Sequence, residues 1–236
     1  MTQIITFFSP KTSGASSLIL NAACLHQTLC PTKRIGLIEF SPMCSQQVLF
    51  PTETNHSWEE LWPFYETEEW NSDLLSRVKF DLGVEILWSP TMGNFPVFEA
   101  SKAMALLDLA KQRYDFLYVD LSQSTPKEWQ NFALESTSQL VGVMCPDPLG
   151  VSAWQHWQKN LKSSIQQGLV INQVLPKDAS ALTAKFTKPE LSFTTTVPTD
   201  VKLMWQQNYL QFPAVWHKRS AYKKAVEILI ANWILK

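Results

Sequence analysis

Short apolar runs alternate with longer helical stretches along almost the whole chain, and this alternation limits the fold more than any other feature. Seven runs read as strands: Ile4–Phe8, Ile35–Phe40, Val84–Trp88, Phe116–Asp120, Gln139–Cys145, Leu169–Val174 and Ser192–Val197. Several are continuously apolar, the pattern of strands buried on both faces. Between them, helical periodicity covers Ser16–Thr28, Val97–Gln112, Pro126–Ser136, Gly150–Gln166, Asp200–Gln207 and Ser220–Leu235. This order predicts an α/β fold, a mostly parallel sheet of about seven strands with helices on both faces. No repeat or linker interrupts it, and 236 residues with 45% hydrophobic content suit a single domain spanning 1–236.

Most of these strands end in turn or capping residues: Ser9-Pro10, Ser41-Pro42, Ser89-Pro90, Ser122 and Pro146-Asp147-Pro148. Ligands of open α/β sheets bind at the carboxyl ends of the strands, so a site is expected along that edge. A formal net charge of -1 gives no basis for sequence-independent nucleic-acid binding. The amino terminus lacks a secretory pattern and no apolar run reaches bilayer length, so a cytoplasmic protein is expected. Cys24, Cys30, Cys44 and Cys145 form no C-x-x-C pair and read as free thiols. On one helix, Cys24 and His26 would point to different faces and could not chelate together.

The segment IITFFSPKTSGASSLILNAACLH is strand, loop and helix in turn. A phosphate-binding loop in that position needs glycines that let backbone N–H groups point at phosphate, a lysine for charge and a Ser or Thr for magnesium. Only Gly14 stands within PKTSGASS, in a chain holding 7 glycines altogether. The region nevertheless resembles the deviant Walker A loop of the MinD/ParA P-loop family, K-G-G-x-G-K-[ST]-[ST]. In that alignment, with one gap, Lys11 matches the early signature lysine, Gly14 the last glycine, Ala15 the P-loop lysine, Ser16 the magnesium-binding hydroxyl, and Asn21 the helix asparagine. Ser17 fills the following hydroxyl position, while Thr12 and Ser13 stand where two glycines are expected. Ala followed by Ser is similar to the loops of the CpaE/TadZ subgroup, which localises pilus assembly machinery.

Further landmarks resemble the same family in order. RIGLIEFSP matches a strand ending D-x-D-P, with Glu39 and Ser41 at the acidic positions, and RYDFLYVDLSQST matches the Walker B strand with Asp120. GLVINQV places Asn172 near the adenine, and TTTVPTDVKL places Pro198 and Asp200 beside the base. The resemblance therefore implies Lys11, Gly14, Ser16, Ser17, Asp120, Asn172, Pro198 and Asp200 as nucleotide-binding residues, with Ser16 and Asp120 on magnesium wherever nucleotide binds. Each also has a plain structural role open to it: Asp120 and Asn172 as strand-end caps, Pro198 as a helix-entry residue, Lys11 as a solvated loop lysine. Loss of lysine at Ala15 and of the water-orienting acid at Ser41 leaves phosphoryl transfer without two of its parts.

The implied activity is that of a pseudo-ATPase, without catalytic residues, serving localisation or assembly through protein partners of a larger bacterial machine. Neither ATP nor magnesium is required, and any binding is weak. An active ATPase with an atypical loop and a nucleotide-independent structural subunit are the alternatives; a homodimer across the carboxyl edge is compatible with the first reading. Trp58, Trp62 and Trp70, set among Glu59, Glu60, Glu66, Glu68 and Glu69, form either a partner-docking face or amphipathic helices covering the sheet. The last helix carries Lys223 and Lys224 beside an apolar stripe, and packing on the sheet is favoured for it over membrane contact.

Overall fold

The computed structural model describes residues 2–40, 56–89, 100–159, 165–203, 213–216 and 219–235. Eight strands form one sheet: β1 (Gln3–Ser9), β2 (Ile35–Glu39), β3 (Lys79–Asp81), β4 (Glu85–Leu87), β5 (Phe116–Ser122), β6 (Gln139–Met144), β7 (Gln166–Val174) and β8 (Phe193–Pro198). Their order is β3-β4-β2-β5-β1-β6-β7-β8. All neighbours are parallel except β3, which runs antiparallel to β4. The helices are α1 (Ala15–Leu29), α2 (Leu75–Val78), α3 (Ala100–Arg113), α4 (Lys127–Ser136), α5 (Pro148–Gln158), α6 (Ala179–Phe186) and α7 (Ala221–Leu229), and α7 continues into a π-helical turn at Ile230–Ile234.

Side-chain alternation along the strands divides the core. Ile5, Phe7, Leu37, Tyr118, Val141 and Val170 face one side, where α1 and α7 cover them. Ile4, Phe8, Ile38, Val119 and Leu140 face the other, beneath α3 and α4. Leu169 and Ile171 continue that second side under Trp154 of α5 and Phe186 of α6. Layers on both sides bury the backbone polar groups of the middle strands within their own ladder.

Two elements depart from the sequence expectation. β3 is an eighth strand of three residues, Lys-Phe-Asp, too short and too polar to carry a period-two signal. α6 was not anticipated because only Phe186 of its eight residues is buried, so its apolar stripe is one residue wide. The aromatic segment behaves as short helices: SWEELW forms a 3-10 helix at Trp58–Phe64, and SDLLSRV forms a 3-10 turn followed by α2. In the last helix Ala225, Val226, Leu229, Ile230, Trp233 and Ile234 are buried in the core. Among the described residues no helix is long and apolar enough to cross a membrane.

Gly36, Gly142 and Gly168 sit where an aromatic ring packs onto the strand. Gly142 on β6 lies directly under the indole of Trp154, and a Cβ at that position would collide with the ring. Gly142→Ala is therefore expected to destabilise the domain by about 1–3 kcal/mol through overpacking. Urea denaturation of the variant against wild type checks this.

His26 of α1 is fully buried, with Nδ1 2.9 Å from the Tyr118 hydroxyl, and burial lowers its pKa to about 4. The unfolded chain binds a proton near pH 6.5, whereas the folded chain does so only near the lower value. Stability is accordingly full above about pH 6.5 and falls as the pH drops toward 4, by up to about 3 kcal/mol from this one group. His26→Phe should flatten that part of the stability profile, measured by chemical denaturation between pH 7 and pH 4.

Candidate functional site

The end of β1 and the start of α1 are joined by a loop that bonds to itself. The Ser9 hydroxyl donates to the Lys11 carbonyl and lies 2.6 Å from the Ser13 hydroxyl, which also donates to the Val143 carbonyl at 3.2 Å. Gly14 then turns the chain with φ 75° and ψ 23°, a left-handed conformation that glycine adopts without a Cβ penalty. α1 starts without a side-chain cap and without an acidic residue in its first turn, so its positive end is not offset locally. Ala15, the first residue of α1, is buried in the core.

Lys11 does not face the start of α1 as an open charge. Its Nζ is 2.9 Å from Asp147 Oδ1, with both side chains about 40% exposed. The same carboxylate caps α5, accepting from the amides of Leu149 and Gly150 at 3.1 and 2.9 Å. The hydrogen bond from Lys11, joined by these backbone donors, holds the Asp147 carboxyl below its ordinary range. Lys11, Asp147 and Cys145 line a shallow pocket of about 160 Å³ with the loop residues.

Two carboxylates stand behind the loop. Asp120 of β5 and Glu39 of β2 are register partners and are 1% and 0% exposed, on the side of the sheet that α1 covers. The Glu39 carbonyl accepts from the Trp58 indole at 3.0 Å, and the Phe40 amide donates to the Asp120 carbonyl at 3.0 Å. Ser16, on the first turn of α1, shares the carboxyl edge with Asp120. Ser41 lies outside the described residues.

On the other flank of the loop a cleft of about 430 Å³ opens to solvent, lined by Gly14, Ser17, Asn172, Gln173, Pro198, Asp200 and Tyr222 among others. Five of the anticipated nucleotide-binding residues, Gly14, Ser17, Asn172, Pro198 and Asp200, therefore gather here, while Lys11 lines the separate pocket. Asn172 is turned inward: its Nδ2 donates to the Ser13 carbonyl at 2.7 Å, and a Cβ on Gly14 would come within 2.9 Å of that nitrogen. Gln173, at φ 61°, occupies a left-handed position within the register shift of the β7–β8 ladder between Ile171 and Val174. Asp200 accepts from the Leu203 amide at 3.1 Å as a helix cap. Tyr222 is hydrogen-bonded to the side chains of Ser17 and Asn21, and burial raises its pKa. Asn21 in turn accepts from the Val215 amide at 3.0 Å and donates to the Ser17 carbonyl at 2.8 Å.

Sequence reasoning missed Gln173, Tyr222 and the pairing of Lys11 with Asp147. Asp147 before Pro148 carries a legible helix-cap signal, but its partner lies 136 residues away. The three tryptophans separate. Trp58 is fully buried against Phe40 and Trp129, which removes it from the proposed partner face because its indole is spent on the Glu39 carbonyl and the core. Trp62 and Trp70 are half-buried and stacked at 6.1 Å.

No family model matches the chain, and neither does any curated protein. Solved structures do match over its whole length. A ParA family ATPase from Chlorobium tepidum TLS aligns with TM-score 0.79 at 17% identity, covering 100% of this chain and 99% of that one. MinD, a cell division protein from Aquifex aeolicus, aligns with TM-score 0.72 at 14% identity over 100% and 98% of the two chains. The septum site-determining protein MinD of Pyrococcus horikoshii OT3, complexed with Mg-ADP, aligns with TM-score 0.68 at 16% identity over 96% and 93%. The chain has the fold of the MinD/ParA P-loop ATPases.

The contact between Gly14 and Asn172 generates a coupling. Gly14→Ala should destabilise by about 1–3 kcal/mol, from the left-handed backbone and the clash with the amide. Asn172→Ala should cost about 1 kcal/mol through the lost bond to Ser13. The double variant should be less destabilised than the sum, by about 0.5 kcal/mol or more, because removing the amide relieves the clash. A double-mutant cycle in urea reads this directly, and strict additivity would contradict the contact.

Proposed function

We propose that this chain is a degenerate member of the MinD/ParA family, close to the CpaE/TadZ-like subgroup, and a pseudo-ATPase that localises or assembles other proteins. The observation that carries this reading is the charge of the loop. Ala15, packed in the core, occupies the position of the phosphate-binding lysine, and the remaining loop cation, Lys11, is paired with Asp147 at 2.9 Å. Phosphoryl transfer relies on positioned cations to stabilise its transition state, and this loop offers the transferring group none of its own. Ser41, at the second acidic position of RIGLIEFSP, removes a further part.

Residual, weak binding of ATP with magnesium is compatible with the parts that remain. The uncapped positive end of α1, the left-handed Gly14, the Ser16 hydroxyl and Asp120 favour anion and cation in the usual order, and the open cleft beside Asn172, Pro198 and Asp200 is the place assigned to the base. Lys11, Gly14, Ser16, Ser17, Asp120, Asn172, Pro198 and Asp200 are the residues assigned to that binding. The protein would work in the cytoplasm, reaching any membrane through its partners, with a homodimer across the carboxyl edge as one arrangement.

Repair of the loop tests the reading. Ala15→Lys should at most improve ATP affinity, with phosphate release near background, and Ala15→Lys with Ser41→Asp should still lack the glycine turns that aim backbone amides. Affinity by calorimetry and phosphate release are measured for each variant and the wild type. Robust hydrolysis by the wild type, abolished by Asp120→Ala, would overturn the pseudo-ATPase assignment.

A further inference from the structure

The surface around Trp62 and Trp70 joins two features that proteins seldom leave together. Between residues 56 and 76 the chain carries Glu59, Glu60, Glu66, Glu68, Glu69 and Asp73 and no Lys or Arg. Amid these carboxylates lies a shelf of rings: Trp62 and Trp70 stack at 6.1 Å with 25° between planes, and Tyr65 meets Trp70 edge-on at 5.3 Å. The shelf is half-buried at its base, on the core, and its rim residues Glu60, Glu66, Glu68 and Glu69 are exposed. Glu66 holds a left-handed backbone, φ 75°, in the turn between the 3-10 helix and Trp70, a costly conformation for a residue with a Cβ.

The rings already draw cations from elsewhere in the chain. Lys102 Nζ stands 5.9 Å over Trp62, and the Arg77 guanidinium stands 4.8 Å over Phe64. An aromatic face with carboxylates at its edge attracts a cation twice, through the ring quadrupole and through charge, and guanidinium suits it best because it is planar and weakly hydrated. The same carboxylates repel nucleic-acid phosphates and anionic lipid headgroups.

We propose that the shelf of Trp62, Tyr65 and Trp70 is the docking surface for an arginine-bearing segment of a partner protein, with Glu66, Glu68 and Glu69 steering it. This rests on the reading that the chain acts through protein contacts, and it assigns that role to residues that line neither the loop pocket nor the cleft. The incoming guanidinium stacks on Trp70 or Tyr65, and the carboxylates supply salt-sensitive attraction.

The test uses the full chain labelled with 5-fluorotryptophan, with Trp62 and Trp70 assigned by single Trp→Phe variants, and a short oligo-arginine peptide as probe. Binding should shift the Trp62 and Trp70 fluorine resonances while leaving buried Trp58 and Trp154 in place, and oligo-lysine should bind more weakly. Glu66→Lys with Glu68→Lys and Glu69→Lys, all at exposed positions, should lower affinity about tenfold or more, as should Trp70→Ser. The charge-reversed variant keeps the test valid if Trp70→Ser fails to fold. No binding, binding that leaves both resonances unmoved, or affinity unchanged in the charge-reversed variant would overturn the proposal. Phosphate release on the same wild-type preparation separates the two questions, because turnover would refute the pseudo-ATPase reading whatever the peptide does.

Discussion

The seat of α1 across the middle of the sheet is the constraint on which the carboxyl edge depends. β1 is central, between β5 and β6, and the chain must leave its end and reverse at once to lay α1 over Phe7, Tyr118 and Val141. Gly14 makes that reversal in a backbone conformation that glycine supplies most cheaply. Asn21 then ties the helix down from within, spanning the Ser17 carbonyl and the Val215 amide, while Tyr222 of α7 bonds to both Ser17 and Asn21. A buried polar group must find partners, and here the partners belong to three separate stretches of chain. The loop, the helix and the carboxyl-terminal segment are thereby held in one arrangement.

With α1 seated, the polar side chains of the loop bond largely within the protein. Ser9 and Ser13 spend their hydroxyls on each other and on nearby carbonyls, and Asn172 donates into the loop at Ser13. These bonds satisfy backbone and side-chain groups internally, and a site organised for a ligand usually leaves such groups facing outward. Lys11 shows the same tendency: its charge strengthens the cap of α5 through Asp147. Asp120 and Glu39 differ in that both lie almost without exposure on adjacent strands, where a carboxylate has to be satisfied within the protein.

How much of this was legible follows from the range of each signal. The seven strands read from apolar runs all exist, because a strand buried on both faces writes its burial into consecutive residues. β3 and α6 were hidden because one has three residues and the other a single buried position. The cleft was partly legible: Gly14, Asn172, Pro198 and Asp200 follow strands of one direction, so topology alone brings them to one edge. What could not be read was side-chain commitment. Nothing local to Lys11 indicates Asp147, and nothing local to Trp58 distinguishes it from Trp62, yet one lies in the core and the other at its border.

Trp58 also joins the aromatic segment to the end of β2. Its indole N–H holds the Glu39 carbonyl at 3.0 Å, and its ring lies 5.6 Å from that of Trp62, which stacks on Trp70. A continuous run of packed rings therefore extends from the acidic surface to the end of β2, where Glu39 pairs in register with Asp120. Contiguity of this kind is a physical route and by itself proves no coupling. It does explain why the aromatic segment cannot be treated as an appendage: its first tryptophan is a structural part of the strand that carries Glu39.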